Sequence, residues 1–427
     1  MSAPTPTAAE QALADLFEAR AATRSNGRLD SARAGAFSRF AAGGLPHRRV
    51  EEYKYTDLKA RLRTLPAPAT DADAAKVSET LAAHPPLVDG TPRVVVANGR
   101  FMPELSTFSE GITAHSILAF DAPTEGVGAL VAESTDPLTL ANVGLFDGGV
   151  VLHVSGDAGA IELVHVATED ALVMGRFAIM VPDGASVSVT ERFIGAPSAL
   201  NNTLGEIWLG ERARADLVRI THGDNAGTTQ LSTHHIKIAA NAHLEHLTVT
   251  TGHGLSRNQI FCHVAGDDAE ANFHTAVVAI GQRHSDNTLL VRHNALHSRS
   301  SEIFRSAVGD GGKSIVQGRI NVDPGAQKTD ARMMSNALFL DDTGEVVNKP
   351  ELEIFADDVQ CGHGATSGDL DDEPVFYLRA RGVPEAVARR MLVEAFLLEA
   401  LENVEDEQLR EALQALVTAD LSRTENA

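Results

Sequence analysis

Four short segments, ASVSV at 185–189, ARADL at 213–217, AHLEH at 242–246 and AEANF at 269–273, repeat one pattern along the chain. Each opens on an alanine that follows a turn, and Ala185, Ala213, Ala242 and Ala269 are spaced 28, 29 and 27 residues apart. Three segments place apolar residues two and four positions on: Val187 and Val189, Ala215 and Leu217, Ala271 and Phe273. AHLEH keeps Leu244 and then has His246. Such alternation belongs to a strand, whose side chains point to opposite faces in turn. A period near 28 residues made of short strands predicts a β-solenoid, in which each coil buries its apolar face only against its neighbours. A β-sandwich also uses short alternating strands but requires no fixed period.

The same texture extends outward. From about residue 150, apolar runs such as VVLHVSG, FAIMVPDG and NQIFCHVAGDD alternate with Gly, Asp and Asn turns, and strands continue to about 356. A short strand is expected around Val94–Ala97. Upstream, helices are expected over about 8–22, with Leu13, Leu16 and Phe17 on one face, and over 31–42, stopped by Gly43-Gly44. Residues 64–92, rich in Ala, Pro, Asp and Thr, read as a variable linker. Downstream, Pro384 suits the first position of a helix, and Val387, Met391, Leu392, Ala395, Phe396 and Leu398 make an apolar stripe. A second helix over about 406–421 carries Leu409, Leu413, Leu416 and Val417. Two helices cannot bury both stripes between themselves, so a partner or the solenoid must cover part of them, and an end-cap for the solenoid is the alternative. Residues 1–7 are expected to be disordered and SRTENA at 422–427 to fray. The chain therefore divides into a helical region and linker (1–92), a mainly β solenoid core (93–356) and a C-terminal segment with a helical domain (357–427).

Composition narrows the function. Among 427 residues, 58 Asp and Glu outnumber 36 Lys and Arg, for a net charge of −22. Nucleic-acid affinity rests on neutralising phosphates with Lys and Arg, so this balance argues against such a partner. Two cysteines give no disulfide framework and fit a reducing, cytoplasmic setting. The N-terminus lacks a basic segment followed by an apolar one, and no apolar run of about 18 residues predicts a membrane span.

The chemistry concentrates near the C-terminal end, in QCGHGAT at 360–366. In an extended segment, Cys361 and His363 share one side, and Gly362 and Gly364 leave room for another chain to approach. Thiolate and imidazole are ligands for iron, zinc and copper. A buried thiol beside a hydrogen-bonded histidine is the alternative. Seventeen histidines are spread without HxH, HExxH or CxxC motifs in the histidine-rich middle, so a closed metal site is not written locally. Coils could still bring histidines from successive rungs together. AVGDGGKS at 307–314 approaches a phosphate loop, but the next residues, SIVQGRINV, alternate like a strand, which predicts a turn between rungs. Asp369, Asp371, Asp372 and Glu373 lack the calcium-loop pattern and place negative charge near the start of the following helices. No nucleophile motif is present, and the chain shows no self-contained active site.

A resemblance runs through these stretches. GLPHRRVEEYKYT at 44–56, QKTDA at 327–331, PELEI at 350–354, ADDV at 356–359, CGHGAT at 361–366 and FYLRARG at 376–382, in this order, are similar to the signature of the SufB/SufD family, which builds iron–sulfur clusters. The chain is more similar to the SufD type: SufB-type members carry an EHEAT-type segment at the Cys361-x-His363 position and have further cysteines. It departs at Tyr53, where tryptophan is usual, and at Gly362, where serine is common. The resemblance implies a right-handed parallel β-helix core flanked by N-terminal and C-terminal helical regions. It implies a non-catalytic scaffold that pairs with a SufB-like subunit and docks a SufC-like ATPase on its C-terminal helices, where Met391 and Phe396 are the candidate contacts. It also implies that His363, with Cys361 as a second candidate ligand, takes part in a transient iron–sulfur cluster shared with SufB. Two rival readings are a histidine-based metalloenzyme on a β-solenoid and a purely structural solenoid.

Overall fold

A computed structural model describes residues 5–23, 29–119, 126–223, 227–252 and 254–423. Positions 1–4 of the segment expected to be disordered, and 424–427 of the expected frayed end, lie outside the described residues. The described residues form two sheets, of ten and nine strands, that face each other along a parallel β-solenoid. From Leu172 to Gly368 the chain makes seven successive coils among the described residues, each giving one strand to either sheet. Leu200–Leu209 and Arg214–Gly223 make one coil, and Thr229–Ile238 and His243–Gly252 the next. Every strand pairs in parallel with the strand one coil away.

The alanine repeat reflects a ladder of turns. Gly184, Arg212, Asn241 and Asp268, each just before a repeat alanine, have φ of 69°, 58°, 58° and 57°. This left-handed conformation costs a non-glycine residue roughly 1–2 kcal/mol. It is offset by a ladder bond at each turn: the N–H of Arg212 donates to Ala240 O at 2.9 Å and that of Asn241 to Asp267 O at 2.9 Å, each one coil onward. The alanines that follow are buried, and the next strand's N–H donates to each, as from Arg214 to Ala185 O at 2.9 Å and from His243 to Ala213 O at 2.9 Å. The ladder runs on through His297-Ser298 and Lys328-Thr329, with φ of 57° and 65° at the first residue of each pair. Ser298 and Thr329 are buried in the alanine position.

The two ends of the solenoid differ. At the start, Ile112–Ser116 and Arg100–Phe101 add antiparallel strands to the two sheets. At the far end, Glu345–Ile354 and Gln360–Gly368 are edge strands, and no further strand among the described residues pairs with either. AVGDGGKS forms a turn between the strands Arg299–Gly309 and Lys313–Val322, as its pattern predicts.

Helices cover the outer faces. Ala8–Thr23, Asp30–Gly43 and Pro137–Leu145 bury Leu13, Phe37, Phe40 and Leu138 in one cluster with Leu172, Leu200 and Leu231 of the nine-stranded sheet. The C-terminal helices Glu385–Leu398 and Glu407–Arg423 bury Val393, Leu397, Leu413 and Val417 against Val218, Leu247, Val249 and Ala276 of the ten-stranded sheet. They lie along the side of the solenoid, which covers part of both stripes as expected, and leave its end uncovered, so they do not act as an end-cap. The stretch expected as a linker holds the helix Ala74–Ala83, started by Asp73, whose carboxylate accepts from the N–H of Ala75 at 2.7 Å. Its Val77 packs with Val95, Ala97 and Val164. No helix of the described residues is long and apolar enough to cross a membrane.

Candidate functional site

Cys361 and His363 lie on the last strand, Gln360–Gly368, in register with Ala331 and Met333 one coil below. Ala331 and Met333 point into the solenoid and are buried. Period-two alternation therefore aims the thiol and the imidazole along the interior columns, on one face as expected. Cys361 is half-buried and packs against the core, whereas His363 is exposed because no coil covers it. A Cβ on Gly362 would meet nothing within 4 Å, and one on Gly364 would come within 2.9 Å of the Met334 Cε methyl. Burial pushes the Cys361 thiol up; the charges of Asp330 and Glu302 add to this, and a bond from the Ala331 backbone opposes it. The other cysteine, Cys262, is fully buried in the core, and burial pushes its thiol further up.

These two side chains offer at most two ligands, one soft and one borderline. An iron–sulfur cluster is held by four, mostly thiolates. Among the described residues, no group of three or more His, Cys, Asp or Glu is arranged to hold a metal ion. The donor set suits a shared cluster whose remaining ligands come from elsewhere.

The solenoid does bring histidines together, elsewhere in the interior. His165 Nε2 and His234 Nε2 lie 3.1 and 3.0 Å from the Glu191 carboxylate, which also accepts from Arg219 Nε at 3.0 Å, and His246 Nε2 lies 3.0 Å from His234 Nδ1. Burial, then the Arg219 charge, takes His234 down to about 4, so its imidazole is neutral. The buried guanidinium in this cluster opposes a cation, which weighs against the metalloenzyme reading. Single-sequence reasoning could not find the cluster, because its members come from five strands.

The two candidate docking residues separate. Met391 is exposed, whereas Phe396 is half-buried against the solenoid side, with the Arg305 guanidinium 5.5 Å from its ring centre. Phe376 and Tyr377, on the helix Asp372–Arg379, are 71% and 56% exposed and are the larger apolar surface there. Both belong to the FYLRARG stretch, and two adjacent aromatics after an acidic first turn are their signal in the sequence.

The GLPHRRVEEYKYT segment latches onto the outer face of the nine-stranded sheet. Tyr53 is buried, its hydroxyl donates to Asp136 Oδ1 at 2.5 Å, and the Arg257 guanidinium sits 4.0 Å from its ring centre. Arg257 in turn pairs with the buried Asp286, to which the Thr56 hydroxyl also donates. Arg257 Nη2 and Gln317 Nε2 donate to Glu52 O at 2.8 and 3.0 Å, and Lys349, on the edge strand of this sheet, pairs with Glu51 at 2.6 Å. The segment thus reaches the open end.

A coiled parallel core, flanked by helices along its sides and carrying a thiol–imidazole pair at an uncovered end, defines a parallel β-solenoid protein with an incomplete donor set at one edge. The chain matches the family described as SUF system FeS cluster assembly, SufBD core domain, over residues 164–396, and the SufBD protein N-terminal region over 7–159. It belongs to the SufB/SufD family of iron–sulfur cluster assembly proteins. It is 28% identical to the iron–sulfur cluster assembly protein SufD of Escherichia coli over 380 residues, covering 88% of this chain and 89% of that one. A SufBD family protein of Synechocystis is 28% identical over 404 residues, covering 88% and 87% of the two chains. The SufD protein of Bacillus subtilis is 23% identical over 287 residues, 66% of each chain.

Proposed function

We propose that this chain is the SufD-type scaffold subunit of an iron–sulfur assembly complex and performs no catalysis itself. It pairs through the edge strands Glu345–Ile354 and Gln360–Gly368 with a SufB-type subunit. His363, with Cys361 beside it, contributes to holding a nascent cluster whose other ligands the SufB-type subunit supplies. A SufC-type ATPase docks on the C-terminal helices, with Met391 and Phe376 as its apolar contacts and the half-buried Phe396 on the same helix as Met391. The compartment is the cytoplasm. The observation that carries this reading is the continuation of two interior columns, through Ala331 and Met333, into Cys361 and His363 at an unpaired sheet edge.

An incomplete site is suited to cargo that must be released, because a shared cluster loses half its ligands when the joint opens. The test is co-purification of this chain with SufB- and SufC-type proteins, followed by anaerobic cluster reconstitution. His363→Ala is expected to leave the complex intact, since one side chain seldom dominates an interface, and to lower cluster yield sharply. Cys361→Ser is equally severe if the thiol is a ligand and milder if it only packs. Native yield from an intact His363→Ala complex would favour the purely structural solenoid.

A further inference from the structure

One coil breaks the apolar pattern of the interior just below the open end. In the strands His284–His293 and Arg299–Gly309, three inward positions are polar where the neighbouring coils are apolar or sulfur-bearing. Ser300 is in register with Ala271 and Ala331, Glu302 with Phe273 and Met333, and His293 with Val264 and Val322. All three are buried. His293 Nδ1 lies 2.8 Å from Ser298 Oγ, and its Nε2 lies 3.0 Å from Ser300 Oγ. The Ser300 hydroxyl is thus engaged with His293, and both Glu302 carboxyl oxygens lack a hydrogen-bond partner among the described residues. No ion pair reaches Glu302 there either. The titratable groups that face it are His293 in its own coil, Cys262 across the interior and Cys361 from the end strand; its carboxyl adds to the upward push on both thiols. Burial drives the Glu302 carboxyl up to about 8, against a smaller downward pull from Ser300 nearby.

A buried carboxyl with no partner is costly, and a methionine such as Met333 would fill the layer without that cost. In its column Glu302 stands two strands below His363, roughly 10 Å away. We propose that Glu302 is the proton-exchanging residue of the open end: it keeps its proton while the end is empty and releases it when a cation binds at Cys361 and His363. The proposal rests on the reading that those two residues hold metal. The Glu302 O–H bond breaks and its proton passes to the buffer, as does the Cys361 S–H proton where the sulfur ligates as thiolate; no electron moves, and the carboxylate left behind balances the bound charge across a poorly screened interior. By reciprocity, an ionised Glu302 tightens cation binding.

The test uses the full-length chain, Co2+ as probe, and infrared spectroscopy of protonated carboxyls at pH 7. The Glu302 signal is identified by its loss in Glu302→Gln, or in Glu302→Met should the first variant not fold. The expected result is a protonated signal in the empty chain that Co2+ removes from the wild type but not from His363→Ala. Glu302→Gln should then bind Co2+ about a hundredfold more weakly than wild type at pH 9 and within about twofold of it at pH 6. Absence of the signal from the empty chain at pH 7 overturns the proposal. So does its persistence when Co2+ binds in a His363-dependent way, an outcome that leaves the metal reading of the end intact. A wild type that takes up no more Co2+ than His363→Ala overturns that reading, and the proposal with it.

Discussion

His363 occupies, one coil further out, the register position of Met333; Met333 is 2% exposed, whereas His363 is exposed. The two residues share a column and differ only in whether a coil lies above them. In the proposed pairing, this uncovered position is where the interior column continues into the SufB-type subunit.

The outer side of the end strand is therefore expected to tolerate bulk in the isolated chain and not in the complex. Gly362 has open space where a Cβ would stand. Gly362→Trp should change unfolding stability by no more than about 0.5 kcal/mol while abolishing co-purification with a SufB-type partner. Denaturant unfolding and pull-down, run on the same preparation, check both parts.

Met391 and Phe396 should part company on mutation. Met391→Asp is expected to fold normally, because the side chain is already exposed, and to lose the SufC-type ATPase. Phe396→Asp should cost about 1–3 kcal/mol of stability, because its ring packs against the solenoid side under Arg305. Equal stability of the two variants would place Phe396 on the partner's side of the interface.

The turn ladder predicts opposite signs for neighbouring substitutions. Arg212→Gly should stabilise by on the order of 0.5–1 kcal/mol, since φ is 58° there and glycine adopts it freely. Ala213→Leu should destabilise by about 1–3 kcal/mol, because the position is closed between coils. Thermal unfolding of the two variants measures both.

Much of this architecture was readable from residues alone, and the reason is local. The alanines repeat because a small side chain is needed after each left-handed turn, so four of them reveal the period. The period fades after Ala269 because Ser298 and Thr329 fill the same position with hydroxyls that His293 and the turn carbonyls satisfy. The common face of Cys361 and His363 follows from strand alternation. That this face is uncovered does not, because it depends on where the coils stop and on the C-terminal helices lying along the side instead of over the end. The helix Ala74–Ala83 was obscured by the Pro- and Ala-rich stretch around it, although Asp73 ahead of it and Val77 within it were its signals. The Glu191 and Arg219 cluster was beyond reach, since each member reads as an ordinary strand residue until the coils are stacked.

The pH dependence of stability should carry the mark of Glu302, independently of any metal. Burial raises its carboxyl from the ordinary 4.5 to about 8. Between those values the unfolded chain has lost the proton and the folded chain keeps it, so the unfolded state binds fewer protons and stability falls as pH rises. Below about 4.5 both states are protonated and the residue contributes no pH dependence; above about 8 both are ionised and the penalty is constant. Glu302→Gln has no such titration. The variant should therefore gain on the wild type steadily between pH 4.5 and 8, by a few kcal/mol in all on the order-of-magnitude scale of about 1.4 kcal/mol per pH unit, and the gap should level off at higher pH. Denaturant midpoints at a series of pH values measure it directly. Parallel curves for the two proteins across that window would mean that the carboxyl ionises within the fold, and that some group supplies Glu302 with the partner it lacks in the structure.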